Sequence, residues 1–172
     1  MHKLSFSRRL ETAAIICATL FFLAGPLLFA RGIIEERDTQ QTHNAEFYFN
    51  RGNAYGNQGE YDRAIENYLL AIQLDPDNAI YYCSRGDAYY CNDEYDLAID
   101  DFSVAIQLNP NYAYAHYSRG FVYNLKGEYD RAIDDYTLAL QLDSDFAYAH
   151  YSRGFVYNLK GEYDRAIDDY TL

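Results

Sequence analysis

Two kinds of hydrophobic pattern divide the chain. From Thr12 to Ala30, 19 successive residues carry no charge, and as a helix they would cover roughly 28 Å, close to a bilayer core of about 30 Å. From residue 45 onward the apolar positions are spaced, with aromatics and alanines recurring at helical intervals among polar residues. The first pattern predicts a transmembrane or signal helix at 12–30. The second predicts a train of amphipathic helices.

That train has a period. Shifted by 34 residues, the run Tyr48 to Gly52 aligns with Tyr82 to Gly86, then with His116 to Gly120 and His150 to Gly154. Tyr55, Tyr89, Tyr123 and Tyr157 share a column, as do Ala64, Ala98, Ala132 and Ala166, and residues 113–138 are identical to 147–172. Each unit predicts two helices. The first runs about 14 residues from Ala45, Ala79, Ala113 or Ala147, and Gly59, Gly127 or Gly161 supplies a turn that tolerates positive φ. The second starts near Tyr61, Tyr95, Tyr129 or Tyr163. Asp75-Pro76 and Asn109-Pro110 stop it in the first two units, whereas Asp143-Ser144 predicts a less sharp boundary in the third. The Gly52 column and the alanine columns mark places where helices approach too closely for larger side chains.

These columns resemble the tetratricopeptide repeat family, whose 34-residue unit carries a Trp, Leu-Gly, Tyr, Ala, Phe and Pro pattern. The resemblance covers residues 45–172, as units 45–78, 79–112, 113–146 and an incomplete 147–172. It implies an all-α superhelical solenoid of antiparallel helix pairs. It also implies a non-catalytic scaffold that binds a peptide or helix of a partner protein along its concave side. The lining implied there is Phe49 and Asn53, Cys83 and Asp87, Tyr117 and Phe121, Tyr151 and Phe155; the alternative is that many of these aromatics only stack the repeats on one another. Family members that clamp the C-terminal carboxylate of chaperones use Lys and Asn at such positions, and aromatics replace the Lys here. Tyr48, Tyr82, His116 and His150 stand where the family prefers Trp, and Arg51, Arg85, Arg119 and Arg153 where it prefers Leu. We expect the arginines to form a ladder, their guanidiniums meeting acidic residues such as Asp100, Asp134 or Asp168; ligand carboxylates are the alternative.

Charge and reactive residues narrow the function. There are 26 acidic against 14 basic side chains, a net charge of -12. Residues 1–30 hold Lys3, Arg8 and Arg9 against Glu11, so the acidity belongs to residues 31–172. Such a body repels phosphate backbones, which argues against a nucleic-acid partner. Cys83 and Cys91 lie eight residues apart on one helix, about 12 Å and too far for a disulfide, and Cys17 reads as a small apolar residue. The adjacent pairs Asp100-Asp101, Asp134-Asp135 and Asp168-Asp169 diverge by about 100° on a helix, cannot flank one reacting atom, and read as a solvated outer face. His116 and His150 lack a third ligand and read as packing residues. We therefore expect no catalytic site, no metal and no cofactor.

Lys3, Arg8 and Arg9 precede the apolar span and Arg31 and Arg37 follow it, a slight bias toward an inside N-terminus with the repeats on the non-cytoplasmic side. On this reading 1–11 is a basic segment, 12–30 an uncleaved single-pass anchor, and 31–44 a polar tether reaching at most about 50 Å. Signal cleavage is the alternative, although the large Phe22 or Leu28 lies three positions before each plausible cut. The expected role is a membrane-displayed scaffold serving assembly of an envelope complex. Two alternatives stay open: a regulatory or substrate-recruiting part of a larger enzyme that continues past residue 172, and a secreted soluble binding protein. Nothing in the sequence covers Ala166, Ile167 and Tyr170, so we expect either a longer chain or an end that self-associates.

Overall fold

A computed structural model describes residues 44–171. The basic segment, the apolar span with Cys17, and nearly all of the polar tether lie outside them. Among the described residues no helix is long and apolar enough to cross a membrane.

Eight helices follow in order: α1 (44–56), α2 (Tyr61–Leu74), α3 (Ala79–Cys91), α4 (Tyr95–Leu108), α5 (Ala113–Leu125), α6 (Tyr129–Leu142), α7 (Ala147–Leu159) and α8 (Tyr163–Tyr170). They form consecutive antiparallel pairs, α1 with α2 through α7 with α8, stacked as a solenoid. From α2 onward each helix packs against the next, and the first helices of successive units, α3, α5 and α7, also touch.

The turn inside each pair closes by one repeated device. The N–H of Glu128 donates to the carbonyl of Tyr123 at 2.9 Å, around Gly127 at φ +76°. This satisfies a carbonyl that the end of α5 would leave unpaired. Glu94 donates to Tyr89 in the same way, and there Asp93 holds the left-handed position at φ 60°. Aspartate is among the few side chains that enter this region at modest cost. The second helices stop equally sharply in three units: Asp75, Asn109 and Asp143 each donate to a carbonyl four residues back at 2.9 Å. The Asp143-Ser144 boundary is therefore as definite as the proline-marked ones, because the same backbone closure serves all three.

Glycine and alanine columns set the distance between paired helices. A Cβ on Gly86 would lie 2.8 Å from the ring of Phe102, and one on Gly120 would lie 3.0 Å from Asp135 Cβ. Ala98, Ala105, Ala132 and Ala139 are completely buried opposite them. Phe102 and Tyr136 fill the space between helices and are among the most deeply buried side chains.

Beside this contact runs the arginine ladder, one residue out of the expected register. Arg85 donates through Nε and an Nη to both carboxylate oxygens of Asp101, at 2.7 and 2.8 Å. Arg119 does the same to Asp135 and Arg153 to Asp169. In the first unit Arg51 meets the amide oxygen of Asn67 instead. The partners are thus Asp101, Asp135 and Asp169, all buried, and the outer-face reading holds only for Asp100, Asp134 and Asp168, which are exposed. The remaining nitrogen of Arg119 reaches back to Ser103 Oγ at 3.0 Å, and that of Arg153 to Thr137 Oγ1 at 3.1 Å, so each rung also ties one unit to the previous one. His116 lies near the same carboxylate, with Nδ1 at 3.6 Å from Asp135 Oδ1 and Nε2 at 3.1 Å from the Pro110 carbonyl oxygen. Burial alone would push Asp135 up, but Arg119 and His116 hold it below the usual carboxylate value.

A buried ion pair contributes little over apolar groups, but removing one member leaves the other uncompensated, at roughly 3 kcal/mol or more. Arg119→Met should therefore destabilise the protein by about 3 kcal/mol in urea unfolding. Asp135→Asn recreates the arginine and asparagine pairing of the first unit and should cost about 1 kcal/mol. Equal losses for the two variants would show that the ladder is not the source of the effect.

Candidate functional site

The first helices of the units present a groove that is built from two adjoining cavities. One, of about 350 Å³, lies between α1, α2 and α3 and includes Asn53, Asn57, Tyr68, Ser84 and Asp87. The other, of about 220 Å³, lies chiefly between α3 and α5 and includes Asp87, Tyr90, Tyr114, Tyr117 and Phe121, with Phe102 of α4 beneath. Asp87 lines both.

Helical spacing explains the lining. Ser84, Asp87 and Cys91 fall at i, i+3 and i+7 on α3, and Tyr114, Tyr117 and Phe121 at i, i+3 and i+7 on α5, so each set shares one face. The rings then touch in series. Tyr90 meets Phe121 edge-on with centroids 5.6 Å apart, Phe121 lies 6.2 Å from Tyr117, and Tyr117 lies 6.3 Å from Tyr114. The Tyr114 hydroxyl closes the arc by donating to Asp87 Oδ2 at 3.2 Å. In the first cavity the Tyr68 hydroxyl donates to Asn53 Oδ1 at 2.7 Å, which fixes the asparagine carbonyl.

The expected lining residues separate into three groups. Asn53, Asp87, Tyr117 and Phe121 come together in the groove. Phe49 is half-buried against Tyr68 and Tyr81, at 5.9 and 4.9 Å, and lines neither cavity, and Cys83, 1% exposed in the packing between Phe102 and the alanines, offers no surface to a ligand. Tyr151 lies in a separate cavity of about 680 Å³ with His150, Asp169 and Tyr170, and Phe155 is exposed outside both groove cavities. Tyr117 contacts Tyr136 and Phe146, while Tyr151 lies against Tyr170 with the rings tilted at 45°. The residues that sequence reasoning missed are Tyr68, Ser84, Tyr90 and Tyr114. A spacing of three residues from Asp87 or Tyr117 was the signal that could have found Ser84, Tyr90 and Tyr114; Tyr68, on α2, carries no such signal.

Asp87 dominates the electrostatics. Burial pushes its carboxyl up to about 7, partly offset by the hydrogen bond from Tyr114. Its charge acts on its surroundings in turn. Tyr68 is pushed up to about 12 by burial and then by Asp87, and Tyr112, Tyr114, Cys83 and Cys91 all rise, first through burial and with Asp87 contributing. All five face the carboxylate as neutral groups at physiological pH. Among the described residues no basic side chain lines either cavity.

The architecture is thus that of a helical-repeat solenoid with a ligand-sized groove along its inner helices. A profile of the tetratricopeptide repeat matches residues 45–78, and a TPR repeat profile matches 86–127 and 122–161. The chain belongs to the tetratricopeptide repeat family. No curated protein matches the sequence. Among solved structures, the crystal structure of MamA is similar at 35% identity over 74% of this chain and 75% of that chain, with a TM-score of 0.71. The first TPR of Spaghetti (RPAP3), bound to the HSP90 peptide SRMEEVD, is similar at 27% identity over 70% of this chain and 95% of that chain, TM-score 0.68. The second TPR domain of human RPAP3, in complex with the HSP70 peptide SGPTIEEVD, matches at 28% identity over 69% and 97%, TM-score 0.63.

An acid whose native pKa is raised binds its proton more tightly in the folded state. The stability this gives is complete below about pH 4 and lost as pH rises toward about 7. Asp87→Asn removes the dependence. Relative to wild type, the variant should gain about 2 kcal/mol between pH 4 and pH 8 in paired urea titrations, less than the full shift implies because the carboxylate borders the open groove. An unchanged difference at the two pH values would contradict the burial of this charge.

Proposed function

We propose that the chain is a non-catalytic protein-interaction scaffold that holds an extended peptide or short helix of a partner protein along the groove around Asn53, Asp87, Tyr117 and Phe121. The observation that carries this reading is the pair of adjoining cavities along α1, α3 and α5, lined by rings for apolar contact and by Asn53, Ser84 and Asp87 for hydrogen bonds. The RPAP3 domains, similar over most of their length, are held with chaperone peptides. Those peptides end in Glu-Glu-Val-Asp, and an acidic tail would find a carboxylate and, among the described residues, no cation in this groove. The fold is shared and the ligand class is different.

The second half of the proposal is a tether. Residues 12–30 anchor the repeats to a membrane, on its non-cytoplasmic side, where the scaffold serves assembly of an envelope complex. The length and lack of charge of that segment support this.

Two measurements test the two halves. Selection of a random-peptide display library on the full chain in detergent should enrich defined sequences. Asn53→Ala with Tyr117→Ala should weaken their binding by about tenfold or more, since a desolvated aromatic contact commonly carries about 2 kcal/mol. Circular dichroism must show the variant still helical, and selection without enrichment would remove the groove as a peptide site. For the tether, the full chain should stay with the membrane pellet through carbonate and high-salt washes, which screen charge but not burial. Release into the supernatant would exclude an anchor.

A further inference from the structure

Three carboxylates of the second helices are buried, each with a cation, whereas a fourth, Asp87 on α3, is half-buried beside the groove. Asp101, Asp135 and Asp169 each receive two hydrogen bonds from an arginine. Asp87 has no ion-pair partner among the described residues; its single donor there is the Tyr114 hydroxyl on Oδ2. A carboxylate withdrawn from water without compensation is costly, so it persists only where the structure needs it or a ligand uses it. The other units answer the first alternative. The same column holds Asn53, Phe121 and Phe155, and their helix pairs close on the same glycine contact. The fold does not require a charge at this place.

The surroundings of Asp87 suit one kind of occupant. It lines the cavity of about 220 Å³, several times the roughly 30 Å³ of a single water. Around that cavity stand Tyr90, Tyr114, Tyr117 and Phe121, in ring-to-ring contact. Aromatic faces attract cations through their quadrupole, more strongly where water is thin. A carboxylate beside an arc of four rings, with no basic side chain in the lining among the described residues, is complementary to a positive charge carried on an apolar stem. The net charge of -12 favours the approach of such a group.

We propose that the cavity between α3 and α5 is the specificity pocket of the groove and receives a lysine or arginine side chain of the bound peptide, its charge on Asp87 and its stem against Tyr90, Tyr117 and Phe121. This rests on the groove being the peptide site and adds the chemistry it selects. A basic side chain entering the pocket holds Asp87 ionised, so binding tightens as pH rises from 6 to 8, the facing groups Tyr68, Cys83, Cys91, Tyr112 and Tyr114 staying neutral over that range.

The test uses the full chain in detergent and peptides selected on it from the display library. The selected peptides should share one lysine or arginine. In fluorescence anisotropy, replacing that residue with norleucine or citrulline should weaken binding to wild type by about tenfold or more, and binding to Asp87→Asn by less than about threefold. The asparagine keeps the size of the side chain and an acceptor for Tyr114, so loss of folding is not at issue, and the pH dependence between 6 and 8 should vanish in the same variant. Enriched peptides without a basic residue, or equal losses on wild type and Asp87→Asn, would overturn the pocket while leaving the groove intact. Selection without enrichment would overturn both.

Discussion

The structure depends on how closely two helices can approach at one glycine per unit. At Gly120 the absent side chain lets α6 come so near that Asp135 Cβ would stand 3.0 Å from a Cβ built there. That approach brings the Asp135 carboxylate within 2.8 Å of the guanidinium of the preceding residue, Arg119. It also lets the Tyr136 ring fill the space beneath. Packing sets the geometry and the ion pair then uses it; a larger residue at the glycine would displace the ring and the carboxylate together.

Because successive residues of a helix point about 100° apart, one tripeptide distributes three roles. In α3, Arg85 turns to the ladder, Gly86 meets Phe102, and Asp87 turns to the groove. The same division holds for Arg51-Gly52-Asn53 and Arg119-Gly120-Phe121. The ladder satisfies its own charges on one side of the contact, so the groove side is free to vary without loss of the helix pair. Outside this division, exposed links such as Lys126 with Asp96 and Lys160 with Asp130 repeat along the surface. They add little, being in high dielectric and screened by salt.

The sequence made the fold legible almost to the residue, because a 34-residue period aligns several imperfect signals on one another. Tyr61, Tyr95, Tyr129 and Tyr163 do begin the second helices. The ladder was legible in kind but not in phase. Treated as an adjacent pair, Asp100-Asp101 looks like surface. Measured from the buried Ala98, Asp101, Phe102 and Ala105 fall at i+3, i+4 and i+7, the inward face, and Asn67 occupies the matching place in the first unit. The site was legible only in part. Asn53, Asp87, Tyr117 and Phe121 share a face that spacing defines, but the closure of Tyr114 onto Asp87 spans 27 residues and two helices. No period within one unit encodes a contact between units of different sequence.

That difference between units is where specificity can reside. Residues 113–138 and 147–172 are identical, so any feature of their own making would appear twice. Yet Tyr117 lies among Tyr114, Phe121, Tyr136 and Phe146, and Tyr151 is exposed beside Tyr170. Their neighbours differ on both sides: Phe146 of the following unit packs on Tyr117, and α3, the first helix of the unit before the first copy, contributes Tyr90 and Asp87 to its cavity, whereas the second copy is preceded by α5, which carries Phe121 in the place of Asp87. An array built from near-copies thus acquires a pocket lined by a carboxylate and four rings through one divergent unit. The repeated columns keep the helices at their spacing, and the one column that changes from Asn to Asp to Phe sets what the groove presents.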